Sequence, residues 1–204
     1  MKAILFFFLF TLGITAQNRP LKEGDLIFQN LNCGPMCEAI NTVTQGYNEM
    51  DFNHMGMVFK QDNEWYVIEA AGEAVRKTPV SVFLTYTDNP MYLARLKSEY
   101  QHLIPKAIDF AKSQIGVPYD NDFIYNNGKY YCSELIYDAF LQAYQKPFFQ
   151  LYPMTYKEPQ SNNYFPVWVQ HFSSLGIEIP EGKPGCNPGG MSKDEKIDIL
   201  GIIR

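Results

Sequence analysis

The sequence predicts an α+β fold, and three observations carry that expectation. Apolar residues recur at helical spacing in two segments: Ile104, Ala107, Ile108, Ala111 and Ile115, then Leu135, Ile136, Ala139, Phe140 and Ala143. Two apolar runs around the polar Lys60-Gln-Asp-Asn63 read as a hairpin. The 204 residues, 46% hydrophobic and 19% charged, have globular composition and suit one domain or two small ones.

The chain opens with Lys2, followed by an apolar stretch from Ala3 to Ile14 that is broken only by Thr11 and Gly13. This resembles an export signal and is shorter than the ~20 residues of a membrane span. Ala16 offers a small residue for cleavage, so residues 1–16 are expected to be a signal peptide and 17–204 one domain. The expected location is periplasmic or extracellular, where disulfides are permitted. The first cysteine is Cys33, so no lipid-modified N-terminal cysteine is indicated.

The elements then follow in order. Asp25 to Gln29 reads as a short buried strand after the Glu23-Gly24 turn, and Pro35 to Gln45 as a helix with proline near its start. His54 to Phe59 and Glu64 to Ala70 are the hairpin strands, and Ala74 to Thr78 a third. Val80 to Tyr86 reads as a helical turn and Met91 to Leu96 as a strand. The first strong helix covers Gln101 to Ile115, with Pro105 tolerated in its first turn. The second runs from about Tyr130 to Ala143, after the Asn126-Asn127-Gly128 turn. Pro147 to Pro166 reads as irregular, Pro166 to Leu175 as a helix, Pro180 to Gly190 as a surface loop, and Ile197 to Ile203 as a closing strand.

A formal charge of −5 and the lack of any dense basic run argue against nucleic-acid binding. No phosphate loop or dinucleotide fingerprint occurs, and no cofactor is expected. The chemistry centres on Cys132, at the start of the second strong helix. Free N–H groups and a partial positive charge there favour a thiolate, the nucleophile for amide or ester cleavage. Cys132 also lies on the apolar stripe with Leu135 and Ala139, as a buried structural cysteine would.

Of the three histidines, His102 and His171 lack an obvious polar partner, whereas His54 begins a strand. If the hairpin closes with Phe59 opposite Glu64, His54 falls opposite Glu69 on the same face. Glu69 interrupts an apolar run and needs a partner. It would hold one imidazole nitrogen and leave the other for Cys132. The alternatives are a structural His–Glu pair or a solvent-facing Glu69. Asp25 and Tyr131 are candidate substrate-binding residues by their closeness to these motifs. Asp25 reads equally as a turn residue and Tyr131 as core.

Cys33 and Cys37 either form a disulfide or remain two free thiols. Cys186 is left over. A zinc site from Cys33, Cys37 and His54 would lack a second closely spaced ligand pair, and no metal is expected.

Four pieces carry a family resemblance: Glu23-Gly-Asp-Leu-Ile-Phe28, His54-Met-Gly-Met-Val58, Val67-Ile-Glu-Ala70 and Tyr131-Cys-Ser-Glu-Leu135. Together they resemble the YiiX/YebB-like cysteine hydrolases, which are similar to NlpC-type cell-wall amidases. The resemblance implies a circularly permuted papain-like fold, an antiparallel sheet or small barrel packed on helices, in which histidine precedes cysteine. Here His54 precedes Cys132 by 78 residues.

By that resemblance Cys132 is the nucleophile, His54 the base and Glu69 the orienting residue. Tyr131-Cys132-Ser133 departs from the Asp-Cys-Ser of unpermuted NlpC-type enzymes and from the Asn-Cys-Glu of lecithin:retinol acyltransferase-like relatives. The implied activity is amide hydrolysis on a small-molecule, peptide or cell-wall fragment, such as a peptidoglycan stem peptide. Two competing expectations are a thioester-forming acyltransferase or lipid hydrolase, with the aromatic segment Tyr144 to Tyr156 lining an apolar channel, and a binding module with an inert Cys132.

Overall fold

The computed structural model describes residues 19–204; the predicted signal segment, 1–16, lies outside them. The chain forms β1 (Leu26–Gln29), α1 (Pro35–Val43), β2 (His54–Gln61), β3 (Glu64–Ala71), β4 (Ala74–Pro79), α2 (Val80–Phe83), β5 (Tyr92–Leu96), α3 (Ile104–Ser113), α4 (Cys132–Tyr144), β6 (Tyr152–Pro153), α5 (Pro166–Leu175), β7 (Pro184–Gly185), α6 (Pro188–Ser192) and β8 (Ile197–Ile202). Six strands make one sheet in the order β4-β3-β2-β1-β5-β8, with every neighbouring pair antiparallel. The sheet and helices are those of the expected α+β class. No helix among the described residues is long and apolar enough to cross a membrane.

The β2–β3 hairpin corrects the expected register. Gln61, not Phe59, stands opposite Glu64. The turn is only Asp62-Asn63, with φ of 51° and 65°, the left-handed pair that a tight two-residue hairpin needs and that Asp and Asn tolerate. A shift of two residues preserves the face to which each side chain points. His54 and Glu69 therefore stay on one face, as diagonal rather than direct neighbours.

The helix expected over Gln101 to Ile115 is in fact two pieces, a 3₁₀ segment over Ser98–Leu103 and then α3. Pro105 at its N-terminus lacks an N–H to donate back to Gln101, so regular α-helical bonding begins only here. The expected Pro180–Gly190 loop contains β7, which pairs with β6, and the short α6, capped by the Asn187 side chain.

Alternation along the strands divides the interior in two. Leu26, Phe28, Met55, Met57 and Ile68 face α3 and α4, which contribute Ala107, Ala111, Leu135, Ile136 and Phe140. Ile27, Val58 and Val67 point the other way, to Val80 and Phe83 of α2 and to Leu93. A third cluster joins Ala39 of α1 to Trp168 and Phe172 of α5.

Candidate active site

Cys132 is the first residue of α4, and Tyr131, in extended conformation, is its N-cap. The thiol therefore stands where the helix has unpaired N–H groups. α4 packs across β2 and β3, which brings its N-terminus to the start of β2. There the Cys132 Sγ lies 3.9 Å from the backbone oxygen of Asn53, the residue before His54. Cys132 and His54 are each only 5% exposed.

His54 is held from several sides. Its Nε2 lies 2.7 Å from Glu69 Oε2. Its ring packs on Phe83 and Tyr86, with centroids 5.7 and 6.5 Å away. Nδ1 is left free of Glu69. Burial opposes charge on the ring, but the nearby Cys132 and the Glu69 carboxylate outweigh it and raise His54 from 6.5 to about 9. Burial likewise opposes the Glu69 carboxylate, but His54, Thr78 and Arg76 overcome that and hold it at about 2. The pair is thus imidazolium and carboxylate at neutral pH.

Glu69 is itself fixed. Its Oε1 accepts hydrogen bonds from Thr78 Oγ1 (2.6 Å), Tyr86 OH (2.9 Å) and Arg76 Nε (3.2 Å). β4 supplies two of these donors because Arg76 stands opposite Glu69 and Thr78 opposite Val67. Gly56 lies between His54 and Val58 on this face, and a Cβ there would collide with Val67 Cγ1 and crowd the Ile68 backbone oxygen.

A cavity of about 290 Å³ opens beside Cys132. Its walls are mainly apolar, with Ile40 and Val43 from α1, Tyr119 and Phe123 from the loop before α4, Met154, and Trp168 from α5. Among the described residues, Lys193 is the only charged side chain that lines it. Burial and then the nearby Cys132 push the Tyr119 phenol up, so it stays a hydroxyl beside the sulfur.

The sequence candidates separate clearly. Cys132, His54 and Glu69 come together. Tyr131 lines the cavity, with its hydroxyl accepting the Cys186 N–H at 3.1 Å. Asp25 does not reach the site. Gln29 is the β1 residue opposite His54, and Asp25 lies four residues further along, about 13 Å at strand rise. It is fully buried in a bidentate pair with Arg95, at 2.6 and 2.8 Å. The turn reading of Asp25 also has a basis, because its carboxylate accepts the Lys22 N–H at 2.8 Å.

Sequence reasoning missed Asn53, Tyr119, Arg76, Thr78 and Tyr86. Alternation on β4 would have pointed to Arg76 and Thr78. The others depend on loop paths that no local signal gives.

Cys33 and Cys37 form a disulfide. Cys33 precedes α1 and Gly34, at φ 71°, turns the chain so that Cys37 in the first helical turn can meet it. Cys186 is a buried thiol beside Tyr131 and Ser133, and burial pushes it up.

A thiol at a helix N-terminus, a strand imidazole next to the residue it touches and a buried carboxylate behind the imidazole resemble the site of a papain-like thiol enzyme. Here the histidine comes first in the chain. The chain belongs to the permuted papain-like amidase enzymes of the YaeF/YiiX, C92 family, which it matches over residues 20–201. It is similar to the uncharacterized protein YiiX of Escherichia coli (strain K12), 30% identical over 127 residues, which are 60% of this chain and 58% of that protein. The match thus spans less than two thirds of that relative. The fold is also similar to the crystal structure of the metalloprotein yiiX from Escherichia coli O157:H7, with a TM-score of 0.71 at 23% identity over 89% of this chain and 97% of that one. No three His, Cys, Asp or Glu side chains group as a metal site among the described residues, and the disulfide occupies Cys33 and Cys37.

Proposed function

We propose that the chain is an exported cysteine amidase that works through a thioester, with Cys132 as nucleophile, His54 as base and acid, and Glu69 as the residue that orients His54. The observation that carries this reading is His54, held by buried Glu69 on Nε2, with the Cys132 thiol against the backbone oxygen of the adjoining Asn53. The Cys132 proton rests on His54 in a thiolate–imidazolium ion pair, and the thiolate sulfur adds to the amide carbonyl. The oxyanion is stabilised by the free N–H groups of the first turn of α4 and by the Tyr119 hydroxyl. The C–N bond breaks as His54 returns the proton to the amine. Water then gives a proton to His54 and attacks the thioester, and the carbon–sulfur bond breaks to release the acid.

Peptide or cell-wall fragments, including peptidoglycan stem peptides, are the proposed substrates. The cavity supports an acyl group with apolar parts, and Lys193 suits a substrate carboxylate. Export to the periplasm or the outside, after removal of residues 1–16, is supported by the apolar N-terminal segment and by the Cys33–Cys37 disulfide. The same cavity favours an acyltransferase or lipid hydrolase as the second reading.

Intact-mass trapping on a panel of stem peptides and lipid esters tests both. An adduct on Cys132 with the mass of a peptide acyl group, absent in Cys132→Ala, is the expected result. A fatty-acyl adduct alone would favour the second reading, and no adduct from any substrate would refute the thioester route.

A further inference from the structure

Glu134 stands two residues after Cys132, in the first turn of α4. It is fully buried, its Oε1 accepts the Asn126 N–H at 2.8 Å, and its Oε2 has no hydrogen-bond partner. An ionised carboxylate with a bare oxygen in such a place is strongly disfavoured. Burial accordingly pushes Glu134 from 4.5 up to about 8, against the Asn126 and Tyr131 N–H groups, and Asp120 and Asp138 add to the rise. The titratable groups that face it are Asp120, Asp138, Tyr125, Tyr130, Tyr131 and Cys186, all of them acids.

The loop that Glu134 holds forms one wall of the cavity. Within it, Asp120 accepts the Asp122 and Ile124 N–H groups, each at 2.9 Å, and the Asn127 side-chain amide at 3.0 Å. Tyr119 and Tyr130 form a backbone bridge at its base. Tyr119, Phe123 and Tyr131 reach the cavity from this segment. The Asn126–Glu134 bond therefore fastens the wall of the cavity to the helix that carries the thiol.

We propose that Glu134 is a positioning residue acting in its neutral form, fastening the 120–131 loop to the first turn of α4 without burying a negative charge two residues from the nucleophile. This rests on the reading of Cys132 as the nucleophile. When Glu134 ionises, its charge opposes the thiolate and repels Asp120 and Asp138.

The test is the rate of Cys132 alkylation by iodoacetamide between pH 6 and 10, separated from Cys186 by peptide mapping. Glu134→Gln keeps the acceptor for Asn126 and removes the ionisation. Its rate should match the unaltered protein at pH 6 and exceed it by about three- to tenfold at pH 9. Glu134→Ala should be slower at every pH, so that Gln rescues what Ala loses. Superimposable profiles for Gln and the unaltered protein would overturn the proposal. Should Glu134→Gln not fold, infrared difference spectra of the unaltered protein decide: a buried protonated carboxyl at pH 7 that ionises by pH 9, with an alkylation step at the same pH, supports it, and absence of either overturns it. Labelling that does not slow in His54→Ala would instead sink the nucleophile assignment, whatever Glu134 does.

Discussion

On one face of the sheet, α3 and α4 cover Leu26, Phe28, Met55, Met57 and Ile68 in a large aromatic-rich core. On the other, the single helical turn α2 covers Ile27, Val58 and Val67. The thiol arrives on the first side, carried by α4, while the imidazole and its carboxylate lie on the second. They meet only at the start of β2, where Asn53 touches Cys132 and His54 turns towards α2. The large face is held mainly by apolar packing and sets where the helix N-terminus falls. The small face adds hydrogen bonds from Thr78, Tyr86 and Arg76 that fix the charge state and direction of one imidazole.

The largest effect should come from breaking the small face. Glu69→Ala removes the partner of a buried imidazolium and leaves Thr78 and Tyr86 without their acceptor. Turnover should fall by about 10²–10⁴-fold, as when an orienting carboxylate is lost. Stability should fall by about 3–5 kcal/mol, the cost of leaving one member of a buried pair alone. Alkylation of Cys132 should slow, because His54 no longer reaches a pKa of about 9. Turnover within a factor of two of the unaltered protein would show that Glu69 does not orient His54.

How far these parts could be read from the chain follows the same division. Periodicity marks local repetition, so α4, α5 and the strands flanking Asp62-Asn63 were legible, Pro166–Leu175 to the residue. His54 and Glu69 were paired through an incorrect register, and the pairing survived because a two-residue slip keeps the face. Asp25 was misplaced because adjacency to a motif says nothing about which end of a strand faces the site. The donors to Glu69 belong to β4 and the segment after α2, and their convergence is a property of the assembled sheet. Glu134 has no local signal beyond its place in the Tyr131–Leu135 piece, and only its complete burial sets it apart.

Phe140→Ala tests the large face. Phe140 is fully buried, stacks on Phe148 with ring centroids 5.1 Å apart, and lies two helical turns beyond Cys132. Loss of its ring should cost about 3–5 kcal/mol in denaturant unfolding. Cys132 alkylation should stay within about threefold below the unfolding transition, because the cavity left behind lies far from the N-terminus of α4. A collapse in labelling rate with the fold intact would mean that the two faces are not separable in this way.

The smallest effect, and the one that bears most directly on the comparison, is the pH dependence of stability. His54 is raised from 6.5 to about 9, so its charged form stabilises the fold fully below pH 6.5, and that contribution is lost as pH rises through 9. Glu69 is lowered from 4.5 to about 2, so its contribution is complete above pH 4.5 and is lost as pH falls through 2. The stability gap between the unaltered protein and Glu69→Ala should therefore be widest between pH 4.5 and 6.5 and narrow on both sides, by at most ~3 kcal/mol on the alkaline side. The gap for Phe140→Ala should stay flat across the same range, because the ring carries no proton. Glu134 remains in both variants and drops out of each difference. If both gaps vary alike with pH, the charge on the small face is not what distinguishes it.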